Sequence, residues 1–352
     1  MDQQPIIIWD KGSAYDFFVS MMVLHQPDEF GLRASWAAGV RSRLPIPMRD
    51  VLEHTQQFLN VPLSFIYKLP DPKDAFSALE ALRALPPEDR LPALSFGYID
   101  SPQTREYQEL LLSLEGKQRL SANLEAQIKE GYRPSTLATK TVIRALFDAW
   151  VDRAAFGEAM LDAFVSFYEN FYQEEEVRIN PAQEKVLEKA QMLAARSDVM
   201  SVLEELSSGV RMDMISDASR LVLAPSFWAA PFVIFNRLDE DTRIILFGTR
   251  PKGMALVPGD LVPEELLNSL KALADPTRLR ILRYLLEGPS TISELAKILR
   301  LRPPTVIHHL QCLRLAGLVL VTVSPEAERR YSVRMNGIKT TFHGLQEFLS
   351  GD

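Results

Sequence analysis

The sequence predicts a mainly helical chain of the α+β class, on three observations. Apolar residues recur near every 3.6 positions through most of residues 6–215. Over residues 220–249 the texture changes to short runs rich in Val, Ile and Phe, separated by turn formers. From Pro263 onward, short capped helices return, followed by a β-hairpin and a closing helix. A chain of 352 residues is long for one ordinary domain. We divide it into a helical domain (1–250) ending in a β-meander, a linker (251–262) and a compact module (263–352).

Taken in order, Ile6–Trp9 reads as a short strand. Helical spacing follows at Ala14–Val23, Val51–Leu59, Ala75–Leu85 and Tyr107–Gly131, then at Ser135–Ala149, Arg153–Gln173, Ala182–Ser197 and Asp198–Leu206. Proline-bearing breaks, such as Leu69-Pro-Asp-Pro72, separate several of them. Arg220–Ala224, Pro231–Asn236 and Thr242–Gly248 alternate as three strands of a meander, with Asp239-Glu-Asp241 at one turn.

In the carboxy-terminal module, Pro263–Ala274 and Pro276–Leu286 read as helices, the second opened by a proline, which a first turn tolerates. Thr291 and Glu294 have the spacing of a capping box, so Ile292–Leu299 starts there. Pro304–Ala316 follows and Gly317 stops it. Leu318–Val323 and Arg329–Arg334 alternate as the two strands of a wing, and Asn336–Leu349 is amphipathic. Leu279, Ile281, Leu282 and Leu285 are expected to pack on Leu295, Ile298 and Leu299, with Val306, Leu310 and Leu313 as the buried face of the next helix. This is a winged helix–turn–helix.

Composition narrows the function classes. An apolar share of 47% and a charged share of 24% are those of a globular protein with a sizeable core. No apolar run approaches a membrane span, and the first residues lack the pattern of a secretory signal, so a cytoplasmic protein is expected. Cys312 is the lone cysteine, which excludes an intrachain disulfide framework. The net charge of −7 is unevenly spread: from Glu264 on there are 12 basic and 9 acidic residues, against 27 and 37 before it. A mildly basic module on an acidic body fits local phosphate contact.

The module resembles the ArsR family of bacterial winged-helix repressors. The resemblance is carried by Ala274-Asp-Pro-Thr-Arg-Leu-Arg-Ile-Leu282, Ser293-Glu-Leu-Ala296, Thr305-Val-Ile-His-His-Leu310, Leu313 and Ala316-Gly-Leu-Val319. It implies a homodimer on double-stranded DNA with an inverted-repeat operator, the helices Pro263–Ala274 and Asn336–Leu349 supplying much of the two-fold contact. The expected DNA-facing residues are Arg302, Pro303, Thr305, Ile307, His308 and Gln311, with Arg329 and Arg330 on the wing. Thr305 and His308 can bond base edges or phosphates, and Ile307 suits a thymine methyl. The arginines suit phosphate oxygens or the minor groove. By family position His308 faces DNA and His309 the scaffold; the plainer alternative is that both are ordinary helix residues. Pro303, Pro304 and Ile307 depart from the small polar residues usual there. They motivate a second reading, a winged helix kept for protein interaction or dimerisation after DNA reading was lost or weakened.

No cofactor and no metal is expected. The cysteine pair that many family members carry before the turn has no counterpart in Ser293-Glu-Leu-Ala-Lys297. His343 and Glu347 fall on one helix face, but two ligands are too few for a zinc site. Cys312 reads as a small hydrophobe rather than a redox switch. No catalytic residues are assigned: His25 and His54 are isolated, and Asp10 with Asp16, or Asp213 with Asp217, are pairs of a kind common on surfaces. In the large helical region Phe164, Phe167, Tyr168, Phe171 and Tyr172 make one helix face aromatic. Such a stripe is core, a dimer interface or, with Trp150 and Met160, the wall of a pocket for a small apolar effector.

Overall fold

The computed structural model describes residues 5–132, 137–207, 209–212, 215, 218–230, 232–248, 262–323 and 328–350. The linker expected over 251–262, Asp213, Asp217 and the wing tip 324–327 lie outside them, save Val262. The described chain is mostly helical with small strands. No described helix is long and apolar enough to cross a membrane.

In chain order the strands are β1 (Ile6–Trp9), β2 (Val210–Met212), β3 (Arg220–Ser226), β4 (Val233–Arg237), β5 (Thr242–Gly248), β6 (Ser290–Thr291), β7 (Val319–Val323) and β8 (Arg330–Val333). One sheet has the order β1-β3-β5-β4. The strand β3 lies parallel to both β1 and β5, and only β4 is antiparallel to its neighbour. The expected meander is therefore wrong in its pairing, although its strands form: β5 returns between β3 and β4. The turn after β3 is braced by a distant residue. Asp16 accepts hydrogen bonds from Ser226 Oγ (2.5 Å), Phe227 N (3.0 Å) and Trp228 N (2.8 Å), shaping the chain between β3 and β4. The chain skips one strand position before β4 begins. Gly248 then lies so close to the Ala230 backbone that a Cβ has no room.

The central strands β3 and β5 are buried nearly throughout, as strands covered on both faces must be. Their alternation sorts side chains between two cores. Val222, Ala224, Ile244 and Leu246 face the main helical core, whereas Leu221, Leu223, Ile245 and Phe247 face a smaller one with Val186, Ala190, Val199 and Leu203.

Two helical expectations change. Tyr107–Gly131 is not one helix but two, Pro102–Leu112 and Ala122–Gly131, because Gly116 adopts a left-handed conformation and Ser121 caps a new start. Conversely, Arg153–Phe167 runs through a π-turn at Tyr168–Tyr172 into Gln173–Ala194, merging two expected helices across Pro181. The aromatic stripe on this segment is core. Phe164, Phe167 and Tyr172 are fully buried around Phe17 of helix Ser13–His25, and the Tyr172 hydroxyl donates to Ser13 O at 2.6 Å. Edge-to-face rings of this kind add packing energy beyond their burial.

The carboxy-terminal helices close over a third core that includes Ile281, Leu285, Leu295, Leu299, Val306, Leu310 and Leu313. Leu279 and Ile298, expected within it, are instead 48% and 46% exposed because they fall off the buried arcs of their helices. The second sheet joins this unit to the preceding body: its order is β2-β7-β8-β6, with Val210 opposite Val321 in a parallel pair. A strand from the body thus occupies the free edge of the wing.

Candidate nucleic-acid interface

The helix Pro303–Leu315 is held by capped neighbours. Asp275 accepts from Arg278 N at 2.9 Å and opens Pro276–Leu285. The capping box forms: Thr291 Oγ1 accepts from Glu294 N (3.2 Å), and Glu294 accepts from Thr291 N (2.8 Å). That starts Ile292–Leu299, and Arg300, in the left-handed region at φ 56°, ends it. Leu301 N then reaches back to Ala296 O, and the chain turns into Pro303–Leu315, whose cap residue Arg302 leaves its side chain unused by the cap.

On this helix Val306, Leu310 and Leu313 are buried, as their spacing requires. Arg302, Pro303, Pro304, Thr305, Ile307 and His308 are exposed, and Gln311 is half-buried one turn later. His308 points outward with its Nε2 3.9 Å from Cys312 Sγ. His309 is half-buried, its Nδ1 is enclosed without a partner, and burial lowers its pKa. The exposed residues therefore lie together at the amino-terminal end, where the helix dipole favours anions. Cys312 is half-buried rather than enclosed.

The far end of the helix belongs to the body. The Arg314 guanidinium sits 5.0 Å from the centre of the Phe232 ring, and burial lowers its pKa. Together with β2 on the wing and the Arg334–Glu205 ion pair (3.8 Å), this contact fixes the module to the preceding residues. None of these three contacts involves the exposed residues within 302–308. Arg314 and Val210–Met212 are residues that sequence reading missed; the alternation of Val210 and Met212 was their only trace.

On the wing, Arg329 and Arg330 are both exposed. Arg330 donates to Pro289 O at 3.1 Å and lies 3.8 Å from Glu294, so part of its charge is already balanced. Glu328 accepts from Ser293 Oγ at 3.0 Å, holding one acid of the wing against helix Ile292–Leu299. His343 and Glu347 form an exposed pair at 3.5 Å, and the described residues contain no group of three or more metal-ligating side chains.

The other sequence candidates have structural partners. His25 Nδ1 and His54 Nε2 each lie 2.7 Å from a backbone carbonyl. Asp10 pairs with Lys73 at 2.8 Å and accepts from the Tyr15 hydroxyl, while Asp16, enclosed, has its pKa pushed up to about 6 by burial. The seven residues proposed for an effector pocket are not brought together around one cavity. Met160, Phe164, Phe167 and Tyr172 are enclosed in the core; Tyr168 is half-buried beside them. Phe171 reaches a hollow of about 400 Å³ and Trp150 a separate cavity of about 990 Å³.

Residues 275–320 match the model of the bacterial regulatory protein ArsR family. Similar proteins include the HTH-type transcriptional regulator CmtR of Mycobacterium bovis and that of Mycobacterium tuberculosis. Each is 52% identical over 52 residues, which cover 15% of this chain and 44% of the relative. The chain thus spans less than half the length of these curated relatives. A solved ArsR-like transcriptional regulator from Rhodococcus sp. RHA1 is 30% identical, covering 25% of this chain and 81% of that one, with a TM-score of 0.23. A crystal structure of another ArsR family regulator is 29% identical over 24% of this chain and 93% of its own, with a TM-score of 0.22. On the sequence match and the capped helices that carry it, the carboxy-terminal segment of this chain is an ArsR-type helix–turn–helix.

Proposed function

We propose that the chain is a cytoplasmic, DNA-binding transcriptional regulator: a homodimeric repressor of the ArsR type. Its effector is a small molecule taken up by the domain over residues 1–250 rather than a cysteine-bound metal. The observation that carries this reading is the exposed end of the helix Pro303–Leu315. Arg302, Thr305, Ile307 and His308 stand bare there, while the body grips the opposite end through Arg314. Thr305 and His308 read base edges, Ile307 meets a thymine methyl, and Pro303 sets the approach of the helix. Gln311 follows along the groove, and Arg302, Arg329 and Arg330 hold phosphates. The closing helix Met335–Ser350 exposes Phe342 and Leu349, an apolar face that suits the two-fold contact. Dimers of this sort place two reading helices about 34 Å apart on inverted half-sites.

Purified full-length chain should retard its own promoter DNA, with affinity falling steeply as salt rises. Sizing of the free chain should give a dimer. A salt-insensitive complex, or none, overturns the reading. The interaction-module alternative, motivated by Pro303, Pro304, Ile307 and the Glu328 contact, becomes the better one if genome-wide immunoprecipitation enriches no palindrome.

A further inference from the structure

We propose that Arg300, in the turn that joins helix Ile292–Leu299 to helix Pro303–Leu315, grips a backbone phosphate of bound DNA. This contact explains why an arginine, and not a glycine, stands at a left-handed position there. The assignment deepens the regulator reading above and rests on it.

The first observation is conformational. Arg300 ends its helix at φ 56° and ψ 42°. With the chain so bent, Leu301 N donates to Ala296 O at 3.0 Å, and Leu301 packs against the third core. Glycine takes this conformation freely, whereas a residue with a Cβ is strained in it. The module does use glycine after its next helix, where Gly317 stands at φ 64°. An arginine at position 300 therefore costs stability that a glycine would not.

The second observation is a contrast. Among the described residues, Lys73 is the only other non-glycine with a positive φ, at 51°. Its strain is offset inside the chain. Lys73 Nζ donates to both carboxylate oxygens of Asp10, at 2.9 and 2.8 Å, and lies 4.8 Å from the centre of the Tyr67 ring. The Lys73 carbonyl also accepts from Ala14 N at 3.1 Å. Arg300 has no such compensation. Its side chain is exposed and, among the described residues, makes no hydrogen bond, ion pair or ring contact. Strain that the fold itself does not use marks a place where the chain meets something else.

The third observation, charge, says what that partner is. Between Glu294 and Glu326 the sequence has no acidic residue, while Lys297, Arg300 and Arg302 fall close together. All three are exposed, and Leu301 turns to the core between the two arginines. Arg302 opens the bare end of helix Pro303–Leu315, so Arg300 borders the same surface. A guanidinium there suits a phosphate, whose oxygens match its fork. Such a contact fixes position without reading sequence. A cation at a helix C-terminus also favours the helix dipole. That explanation predicts the opposite effect on stability, which the test reads.

The test compares the full-length wild type with Arg300→Gly and Arg300→Lys, in thermal unfolding without DNA and in promoter retardation across a salt series. Arg300→Gly should melt about 1–2 °C higher, since the strain is gone. It should bind every promoter variant about five- to tenfold more weakly, with the ranking of sequences unchanged. Its salt slope should fall by about 1 for each copy bound. Arg300→Lys keeps the charge, so it should keep the slope and stay within about threefold of wild-type affinity. A lower melting temperature for Arg300→Gly would show that the side chain serves the fold, and overturns the proposal. Equal affinity and slope beside a wild type that shifts its promoter also overturn it, and leave the regulator reading standing. A wild type that shifts no DNA removes both.

Discussion

The helix Pro303–Leu315 and the helical segment Arg153–Tyr172 carry similar periodic signals and meet opposite fates. The first buries a narrow arc of Val306, Leu310 and Leu313 and leaves its opening turns bare. The second buries Met160, Phe164, Phe167, Phe171 and Tyr172. A helix that serves the fold commits its largest side chains to neighbours. The helix Pro303–Leu315 instead leaves exposed the turns that an outside partner would need. Large aromatic residues at helical spacing therefore mark the interior here.

The sharpest way to break this comparison is to truncate one residue on each helix. Phe167→Ala should cost about 3–5 kcal/mol of unfolding free energy in a denaturant titration. Ile307→Ala should stay within about 0.5 kcal/mol while weakening promoter binding. Equal stability losses would show that the two helices are packed alike.

A second test concerns the buried carboxyl that braces the turn after β3. Asp16 titrates near 6 when folded, against an ordinary carboxylate value of 3.8. A raised pKa means that the folded chain holds the extra proton between these values. The contribution is fully present below about pH 4 and is lost as pH rises through 6, a change of about 3 kcal/mol. Asp16→Asn should remove this part of the pH dependence, seen as the difference between the two melting profiles over pH 4–6.

Within the interface the expected effects are smaller. His308→Ala should flatten sequence preference, removing about 1–3 kcal/mol of discrimination at one base position. Arg329→Ala should weaken all sequences alike and lower the salt slope by about 1. The reverse pattern would exchange their roles. Smallest of all, Thr291→Ala should cost about 1 kcal/mol of stability through the lost cap, measured by thermal unfolding.

Much of the carboxy-terminal unit was legible because its signals are local. The capping box at Thr291 and Glu294, the stop at Gly317 and the buried triplet of the reading helix each act within a few residues. β1 was read at its observed bounds for the same reason. The strand order β1-β3-β5-β4 was not, since pairing is a long-range property and even the turn after β3 is braced by Asp16, more than two hundred residues away. The join between Val210–Met212 and the wing was equally hidden: three residues of strand carry no mark of their partner. The cavity beside Trp150 escaped as well, because its residues come from segments between Phe58 and Arg237 with no common spacing.

The amino-acid order alone determined where most helices and strands form and that the closing module is an ArsR-type helix–turn–helix, because caps, turns and periodic burial are short-range properties of the backbone. Tertiary structure decided which strands pair, that the aromatic stripe fills the core, and that the body grips one end of the reading helix and leaves the other free. Those outcomes depend on long-range packing, in which each buried surface is assigned only once its partner has arrived.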